Sequence, residues 1–335
     1  MEFDLAFVWA ILIAVAILLY VVLDGFDLGV GILFPLFNER EDRDVMMNTI
    51  APVWDGNETW LILGGGGLFA AFPLAYATLL PAFYAPIIAM LLGLIFRGVA
   101  FEYCSKASDE NRHWWEWSFA AGSTVAAFCQ GIMLGAFIQG IEVTGRNYSG
   151  GWFDWFTPFS ATVGLAVVAA YALLGACWLI MKTEGELQHD LYRVATPIAT
   201  IVFGFVGLVS LWTPFLDTDI AERWFSWPNI AFVAPVPILV LGCWAALFTS
   251  IKARHEYYPF LSTLGLFILS YIGFAISMFP YIVPRHFTIW QAANPPESLS
   301  FLLYGTVALL PVILGYTAYV YWVFRGKVTK HDGYH

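Results

Sequence analysis

The sequence predicts an all-α polytopic membrane protein with about nine transmembrane helices in a single integral-membrane domain covering residues 1–335. Hydrophobic residues make up 60% of the chain and charged residues only 12%, a balance outside the range of soluble globular domains. Apolar stretches of about 20 residues, the length that crosses a bilayer, recur along the whole chain. The predicted spans are 5–36, 53–72, 79–101, 118–140, 160–181, 195–213, 229–250, 260–280 and 300–324.

We expect the first predicted span, which contains two acidic residues, to stay in the mature chain. Residues 1–4 have no basic segment of the kind that opens a secretory signal, and no small-residue cleavage site follows. Asp24 and Asp27 stand at positions i and i+3, so they share one face of the helix. Gly25 and Gly29 leave room for another helix backbone to approach closely. We therefore expect a tight helix contact around two intramembrane carboxylates.

The second and third predicted spans bring further ionisable groups to the same half of the membrane. Asp55 and Glu58, in the segment PVWDGNETW, again share a helix face, with Asn57 between them. Arg97 lies near the end of the third span. The two acids could instead belong to a helix N-terminus favoured by the macrodipole, and Arg97 could snorkel to the interface or neutralise a buried aspartate.

The six later spans carry few ionisable residues, and their outer connections are rich in Trp, Pro and Gly. We interpret these connections as an interfacial aromatic belt with turns, with a partner-docking surface as the alternative. All six histidines fall in loops or the tail, so no span offers an imidazole to a haem iron at membrane depth. We expect Met90, Met133 and Met278 to fill gaps in the core rather than to bind iron.

The distribution of Lys and Arg predicts the orientation of the chain. Eleven of the 15 lie on one predicted side, three lie on the other, and Arg97 lies within a span. The richer side comprises the segments 37–52, 102–117, 182–194 and 251–259 and the tail after 324. Because Lys and Arg concentrate on the cytoplasmic side of membrane proteins, we expect the N-terminus outside and the C-terminus in the cytoplasm.

The acidic residues within the spans predict proton chemistry. A carboxylate in hydrocarbon costs several kcal/mol unless it is paired, hydrated or protonated, so it indicates a functional site. Burial and a nearby arginine act in opposite directions on a carboxyl pKa, and a proton relay needs both protonation states to be accessible. A series of acids open to the cytoplasm therefore favours a proton inlet. Cation coordination, a proton-coupled secondary transporter with internal repeats, and a structural subunit whose acids serve assembly are the alternatives.

Six segments, in this order, give the chain a specific resemblance. They are DGFDLGVG, APVWDGNETWLI, LFAAFPLAYA, FRGVAFEY, TEGELQ, and AISMFPYIVP followed by TIWQAA. The sequence resembles subunit II of the cytochrome bd quinol oxidase family, including its cyanide-insensitive branch, over nearly the whole chain. It departs from longer relatives in its compact outer loops, notably between the sixth and seventh spans.

The resemblance implies two four-helix bundles plus one peripheral helix, paired with a haem-bearing subunit I in a bacterial cytoplasmic (inner) membrane. It implies that the complex oxidises quinol at the outer face and reduces oxygen to water at haem d, drawing protons from the cytoplasm. The b-type haems and haem d are expected in subunit I. A structural quinone, a small accessory subunit and membrane lipid are compatible with it, whereas we expect no nucleic-acid partner, no metal ligand and no catalytic residue in this chain.

The resemblance also gives the candidate residues roles. Asp55 would transfer protons where the second span faces subunit I, with Glu58 and Asn57 holding waters beside it. Asp24 and Asp27 would extend that proton path, and Arg97 would balance their negative charge. The residues expected to pack against the partner or against another helix are Trp54, Trp60, Gly25 and Gly29.

Overall fold

The computed structural model describes residues 4–104 and 106–329, with the side chain of Asp109 left out. Its helices are α1 (Leu5–Leu33), α2 (Arg40–Ile50), α3 (Trp54–Ala71), α4 (Pro73–Ala82), α5 (Tyr84–Cys104), α6 (Asp109–Gln139), α7 (Pro158–Lys182), α8 (Gly185–Trp212), α9 (Thr218–Phe225), α10 (Asn229–Val233), α11 (Pro235–Lys252), α12 (Tyr258–Met278), α13 (Ile289–Ala292) and α14 (Pro296–Val323). Two short antiparallel hairpins pair β1 (Val143–Thr144) with β2 (Asn147–Tyr148) and β3 (Tyr281–Val283) with β4 (Phe287–Thr288).

Eight helices in the described part of the chain are long and apolar enough to cross a membrane. They correspond to eight of the nine predicted spans, which confirms the all-α membrane fold. The remaining predicted span, 53–72, is the 18-residue helix α3, whose acidic first half and run of four glycines make it less apolar. The count of nine spans and the placement of the termini stay predictions.

Two predicted boundaries differ from the structure. The predicted span 79–101 begins inside α4, and the chain turns at Phe83 before α5 continues to Cys104. Residues 40–50, expected in a connection, form the short helix α2, whose apolar residues Val45, Met46 and Ile50 are buried in the core. The sequence pattern missed this helix because its polar first half is typical of a solvated loop.

The long helices form two groups of four. Helices α1, α3, α5 and α6 pack together, α7, α8, α11 and α12 pack together, and α7 joins the groups through α1 and α6. Helix α14 lies at the periphery, and Leu299 is its buried residue. This arrangement agrees with the expected pair of bundles and one peripheral helix.

The contact between α1 and α7 depends on glycine. A Cβ atom on Gly29 would lie 1.9 Å from the carbonyl oxygen of Tyr171, and one on Gly175 would lie 2.5 Å from the carbonyl carbon of Gly29. The two backbones therefore touch at this level, as the sequence predicted for Gly29. Gly25 faces the ring of Tyr171, whose Cε1 atom would lie 2.8 Å from an added Cβ.

The segment after α14 is tied to the ends of α7 and α11. Lys182 donates hydrogen bonds to the carbonyl oxygens of Phe324 and Gly326. Lys327 Nζ lies 2.6 Å from Glu256 Oε1, and this hydrogen bond, with a weaker one from Gln188, lowers the pKa of Glu256. The C-terminal end of the peripheral helix is therefore anchored on the same side as the start of α3.

Candidate functional site

A buried ion pair joins the first and third long helices of the first group. Arg97 Nη1 on α5 lies 2.7 Å from Asp24 Oδ1 on α1, and Arg97 Nη2 lies 3.9 Å from Asp27 Oδ2. Asp24 and Asp27 are 0% exposed and Arg97 is 1% exposed. The structure therefore brings together the three intramembrane charges that the sequence singled out. Two carboxylates face one guanidinium, so the group is formally neutral when one carboxyl group holds a proton.

Asn57 on α3 contacts the buried ion pair through hydrogen bonds. Its Nδ2 donates to Asp27 Oδ2 at 2.8 Å and to the carbonyl of Leu23 at 3.3 Å. The hydroxyl of Tyr321, from α14, donates to Asn57 Oδ1 at 2.8 Å. Asn57 thus bonds directly to an aspartate, where the sequence suggested that it held water.

Several polar atoms of the site are buried without a hydrogen-bond partner in the described part of the chain. They are Asp24 Oδ2, Asp27 Oδ1 and Arg97 Nη2. Buried polar atoms in native proteins are almost always hydrogen-bonded to protein or to ordered water. Asp24 Oδ2 and Asp27 Oδ1 can therefore accept a hydrogen bond or a transferred proton, whereas Arg97 Nη2 can only donate a hydrogen bond.

The acids of α3 form a gradient of burial toward this ion pair. Asp55 is exposed, Glu58 is half-buried, and Asp24 is fully buried. Glu58 interacts electrostatically with Asp24, Arg97 and Asp55, so it is within electrostatic reach of both the surface acid and the buried group. The N-cap residue of α3 is Val53, and no side chain makes a cap hydrogen bond there, although Asp55 in the first turn suits the helix macrodipole.

The two candidate tryptophans lie in different environments. Trp54 is half-buried, packs on Phe101 with ring centroids 5.3 Å apart and covers Gly98. Trp60 is 2% exposed and packs with Ala16 and Tyr20 inside this chain. Of the two alternatives expected for Trp60, a partner or another helix, its enclosed ring favours packing against helices of this chain.

A series of hydrogen-bonded side chains leads from the core to the site, and the sequence analysis did not predict it. Gln130 Nε2 on α6 donates to the hydroxyl of Tyr20 at 2.7 Å, and the hydroxyl of Tyr171 donates to Gln130 Oε1 at 2.7 Å. Tyr20 lies one turn before Asp24 on α1 and interacts with its carboxyl group. An isolated amide within an apolar span, as at Gln130, was the available sequence signal.

Comparisons with known proteins agree on one family. A family model described as "Cytochrome bd terminal oxidase subunit II" matches residues 5–324. "Cytochrome bd-I ubiquinol oxidase subunit 2" of Escherichia coli (strain K12) is 32% identical, with 98% of this chain and 96% of the relative aligned. "Cytochrome bd ubiquinol oxidase subunit 2" of Bacillus subtilis (strain 168) is 29% identical, with 97% of each chain aligned.

A solved structure shares the fold. A chain of the bd oxidase from Geobacillus thermodenitrificans superposes with a TM-score of 0.75 at 16% sequence identity, and the match covers 96% of this chain and 99% of that one. At this identity the similarity supports the fold alone, and the superposed region covers nearly all of the helices described above.

Proposed function

Because the chain belongs to the cytochrome bd terminal oxidase subunit II family, we propose that its acidic residues carry protons from the inner face of the membrane toward the partner subunit. The chain is subunit II of a bd-type quinol oxidase, a quinol:oxygen oxidoreductase of bacterial respiratory electron transport. The complex contains haem and a partner subunit I. Reduction of oxygen to water consumes one proton for each electron, so the complex needs a route for protons.

The described residues of this chain do not fit an intramembrane haem. His113, His189, His255 and His286 lie in loops or at the starts of helices, and the remaining two histidines lie outside the described residues. Met90 is enclosed in an apolar cluster of neighbouring side chains. The proposal therefore places the b-type haems and haem d in subunit I.

The gradient of burial from Asp55 to Asp24 is the observation that supports the proton route. Asp55 is exposed on the surface of this chain, and Glu58 interacts electrostatically with both Asp55 and Asp24. A carboxylate at the surface can accept a proton from water, and a second acid can pass it inward where a hydrogen bond, direct or through water, connects the groups. The proposed route begins at Asp55, continues through Glu58, and reaches Asp24 and Asp27.

Arg97 makes this route physically possible. Without a cation, two carboxylates at 0% exposure would not both remain ionised. The group of Asp24, Asp27 and Arg97 accepts one proton and becomes formally neutral, then releases it and carries one negative charge. The proposed setting is the bacterial cytoplasmic (inner) membrane, with the start of α3 and the end of α14 on the cytoplasmic side.

An assembly role is the second candidate function, and the ion pair itself favours it. The contact of 2.7 Å between Arg97 and Asp24 joins α5 to α1, and removal of one partner from a buried pair destabilises a protein strongly. A subunit whose acids serve assembly would need Arg97, Asp24 and Asp27 but would not need the more exposed Asp55 and Glu58. Substitutions on α3 therefore distinguish the two functions.

The test is quinol-driven oxygen uptake by the purified complex carrying Asp55→Asn or Glu58→Gln, with the haem absorbance spectrum recorded for each variant. Loss of a general acid or base slows a proton-dependent step by roughly 100-fold or more when no other group replaces it. We expect full haem content with turnover lowered about 10- to 100-fold in Glu58→Gln, since water offers a partial bypass.

Glu102→Gln provides the matched control. Glu102 lies at the same end of the first helix group, is 60% exposed and pairs with Lys106 on the surface. Its substitution should leave turnover unchanged. Normal turnover in both α3 variants would refute the proton route and favour the assembly role of Arg97, Asp24 and Asp27, and loss of haem from the α3 variants would also refute the assignment of Asp55 and Glu58 to proton transfer alone.

A further inference from the structure

The peripheral helix α14 reaches the buried carboxylates through a single side chain. Tyr321 lies near the C-terminal end of α14 and is half-buried, whereas the neighbouring Tyr319 is 61% exposed. The ring of Tyr321 packs edge-on against Phe26 and Trp178, with centroid distances of 6.5 and 6.2 Å. Its hydroxyl is therefore held in place by aromatic contacts on two other helices.

The hydrogen bonds from Tyr321 to Asp27 have a fixed direction. Asn57 Oδ1 can only accept, so Tyr321 donates to it at 2.8 Å. Asn57 Nδ2 can only donate, and it bonds to Asp27 Oδ2 and to the carbonyl of Leu23. The opposite orientation of the amide would turn its oxygen toward two acceptors, the Asp27 carboxylate and the Leu23 carbonyl. Tyr321 therefore donates to Asn57, and Asn57 donates to Asp27.

We propose that Tyr321 is a positioning residue for the proton route: by fixing the Asn57 amide as a donor to Asp27 Oδ2, it stabilises the ionised, proton-accepting form of Asp27. Hydrogen bonds donated to a carboxylate favour its charged form. The inference rests on the proposed proton route for its functional meaning, while the hydrogen-bond effect on Asp27 can be measured independently. It also makes the peripheral helix a part of the proton site.

Other charged groups also influence the protonation of Asp27. They are Asp24 on the same helix, Arg97 on α5 and Glu58 on α3. None of these is altered when the tyrosine loses its hydroxyl group, so Tyr321→Phe removes one donor and keeps the ring that packs against Phe26. The substitution is therefore a selective test of the hydrogen bond.

The experiment follows the infrared carbonyl stretch of protonated carboxyl groups in the purified complex as a function of pH, together with oxygen uptake and the haem spectrum. The band of Asp27 is identified by its disappearance in Asp27→Asn. In Tyr321→Phe we expect this band to persist to a pH about 1 unit higher than in the unmodified complex, equivalent to about 1.4 kcal/mol. Tyr319→Phe is the control on the same helix and should not move the band.

A double-variant cycle tests whether Tyr321 acts through the amide. In an Asn57→Ala background the hydroxyl has no acceptor, so adding Tyr321→Phe should produce no further shift. Additive shifts, an unmoved band in Tyr321→Phe, or loss of haem in Tyr321→Phe but not in Asn57→Ala would each overturn the proposal.

The two readouts separate this inference from the proposed function. A band that moves in Tyr321→Phe, with oxygen uptake insensitive to Asp27→Asn and Glu58→Gln, would refute the proton route and support the positioning of Asp27. A band that stays in place, with oxygen uptake lowered in Glu58→Gln, would support the route and refute the role of Tyr321.

Discussion

Replacement of Arg97 by methionine tests the electrostatic account of the buried site most severely. Arg97→Met keeps an apolar side chain of similar length but leaves Asp24 and Asp27, both 0% exposed, without their cation. Removal of one partner from a buried ion pair costs about 3–5 kcal/mol, because the remaining charge is left without compensation. Here two carboxylates are left, so we expect a cost in the upper part of that range.

The matched substitution of the other partner should be less harmful. Asp24→Asn removes the contact of 2.7 Å but leaves Arg97 with Asp27, whose charged atoms are 3.9 Å apart. The remaining pair is formally neutral, so the main loss is one charge-assisted hydrogen bond, worth about 1.5–3 kcal/mol. The exposed pair of Arg193 and Asp190 gives the baseline, since Arg193→Gln should cost less than about 1 kcal/mol.

The assay is the thermal stability of the purified complex, followed by haem absorbance and by retention of both subunits. We expect stability to fall in the order Arg193→Gln, Asp24→Asn, Arg97→Met. The double variant Asp24→Asn with Arg97→Met should be more stable than Arg97→Met alone, because it leaves one uncompensated carboxylate instead of two. Equal stability of Arg97→Met and Arg193→Gln, or a double variant that is less stable than Arg97→Met, would refute this reasoning.

Two further predictions concern the helix contact and the C-terminal segment. Gly29→Ala should lower the yield of assembled complex through overpacking of about 1–3 kcal/mol or more, since its Cβ would lie 1.9 Å from the Tyr171 carbonyl oxygen. Gly204→Ala, whose Cβ would meet no atom within 4 Å apart from its own helix backbone, should assemble normally. Equal yields of the two variants would contradict the packing. The Lys327 hydrogen bond lowers the pKa of Glu256 below 4.5 in the folded protein, so its stabilising effect is present above pH 4.5 and declines as the pH falls through the lowered value. The protection factors of the tail amides, which are the intrinsic exchange rates divided by the observed rates at the same pH, should therefore fall on acidification below pH 4.5. Lys327→Met should show low protection factors at neutral pH, and unchanged protection in this variant would contradict the contact.

The charged part of the site could be predicted from the sequence because its signals are local. Asp24 and Asp27 stand one helical turn apart in an apolar span, so their charges call for a buried cation. Arg97 is the cation within a predicted span, and the alternating direction of successive spans puts it in the same half of the membrane as the two aspartates. The contact between Gly29 and α7 followed from residue size in the same way. These features depend on helix periodicity and on the cost of charge in a membrane.

The remaining parts of the site depend on tertiary contacts that leave no local pattern. Tyr321 joins Asn57 across 264 positions of the sequence, and an aromatic residue near the end of an apolar helix otherwise reads as part of an interfacial belt. The sequence left open whether Trp60 contacts a partner or another helix, and its packing with Ala16 is a tertiary contact. The break between α4 and α5 was hidden because both helices are apolar and the connecting Phe83 is apolar as well.

The central claim is that protons for oxygen reduction pass through Glu58 of this subunit. The most direct measurement is the rate of proton uptake from the inner aqueous phase when the fully reduced complex, reconstituted in liposomes, reacts once with oxygen. The account predicts that Glu58→Gln slows this uptake about 10-fold or more, while Glu102→Gln takes up protons at the unmodified rate and both variants keep their haem. Uptake at an unchanged rate in Glu58→Gln would contradict the account.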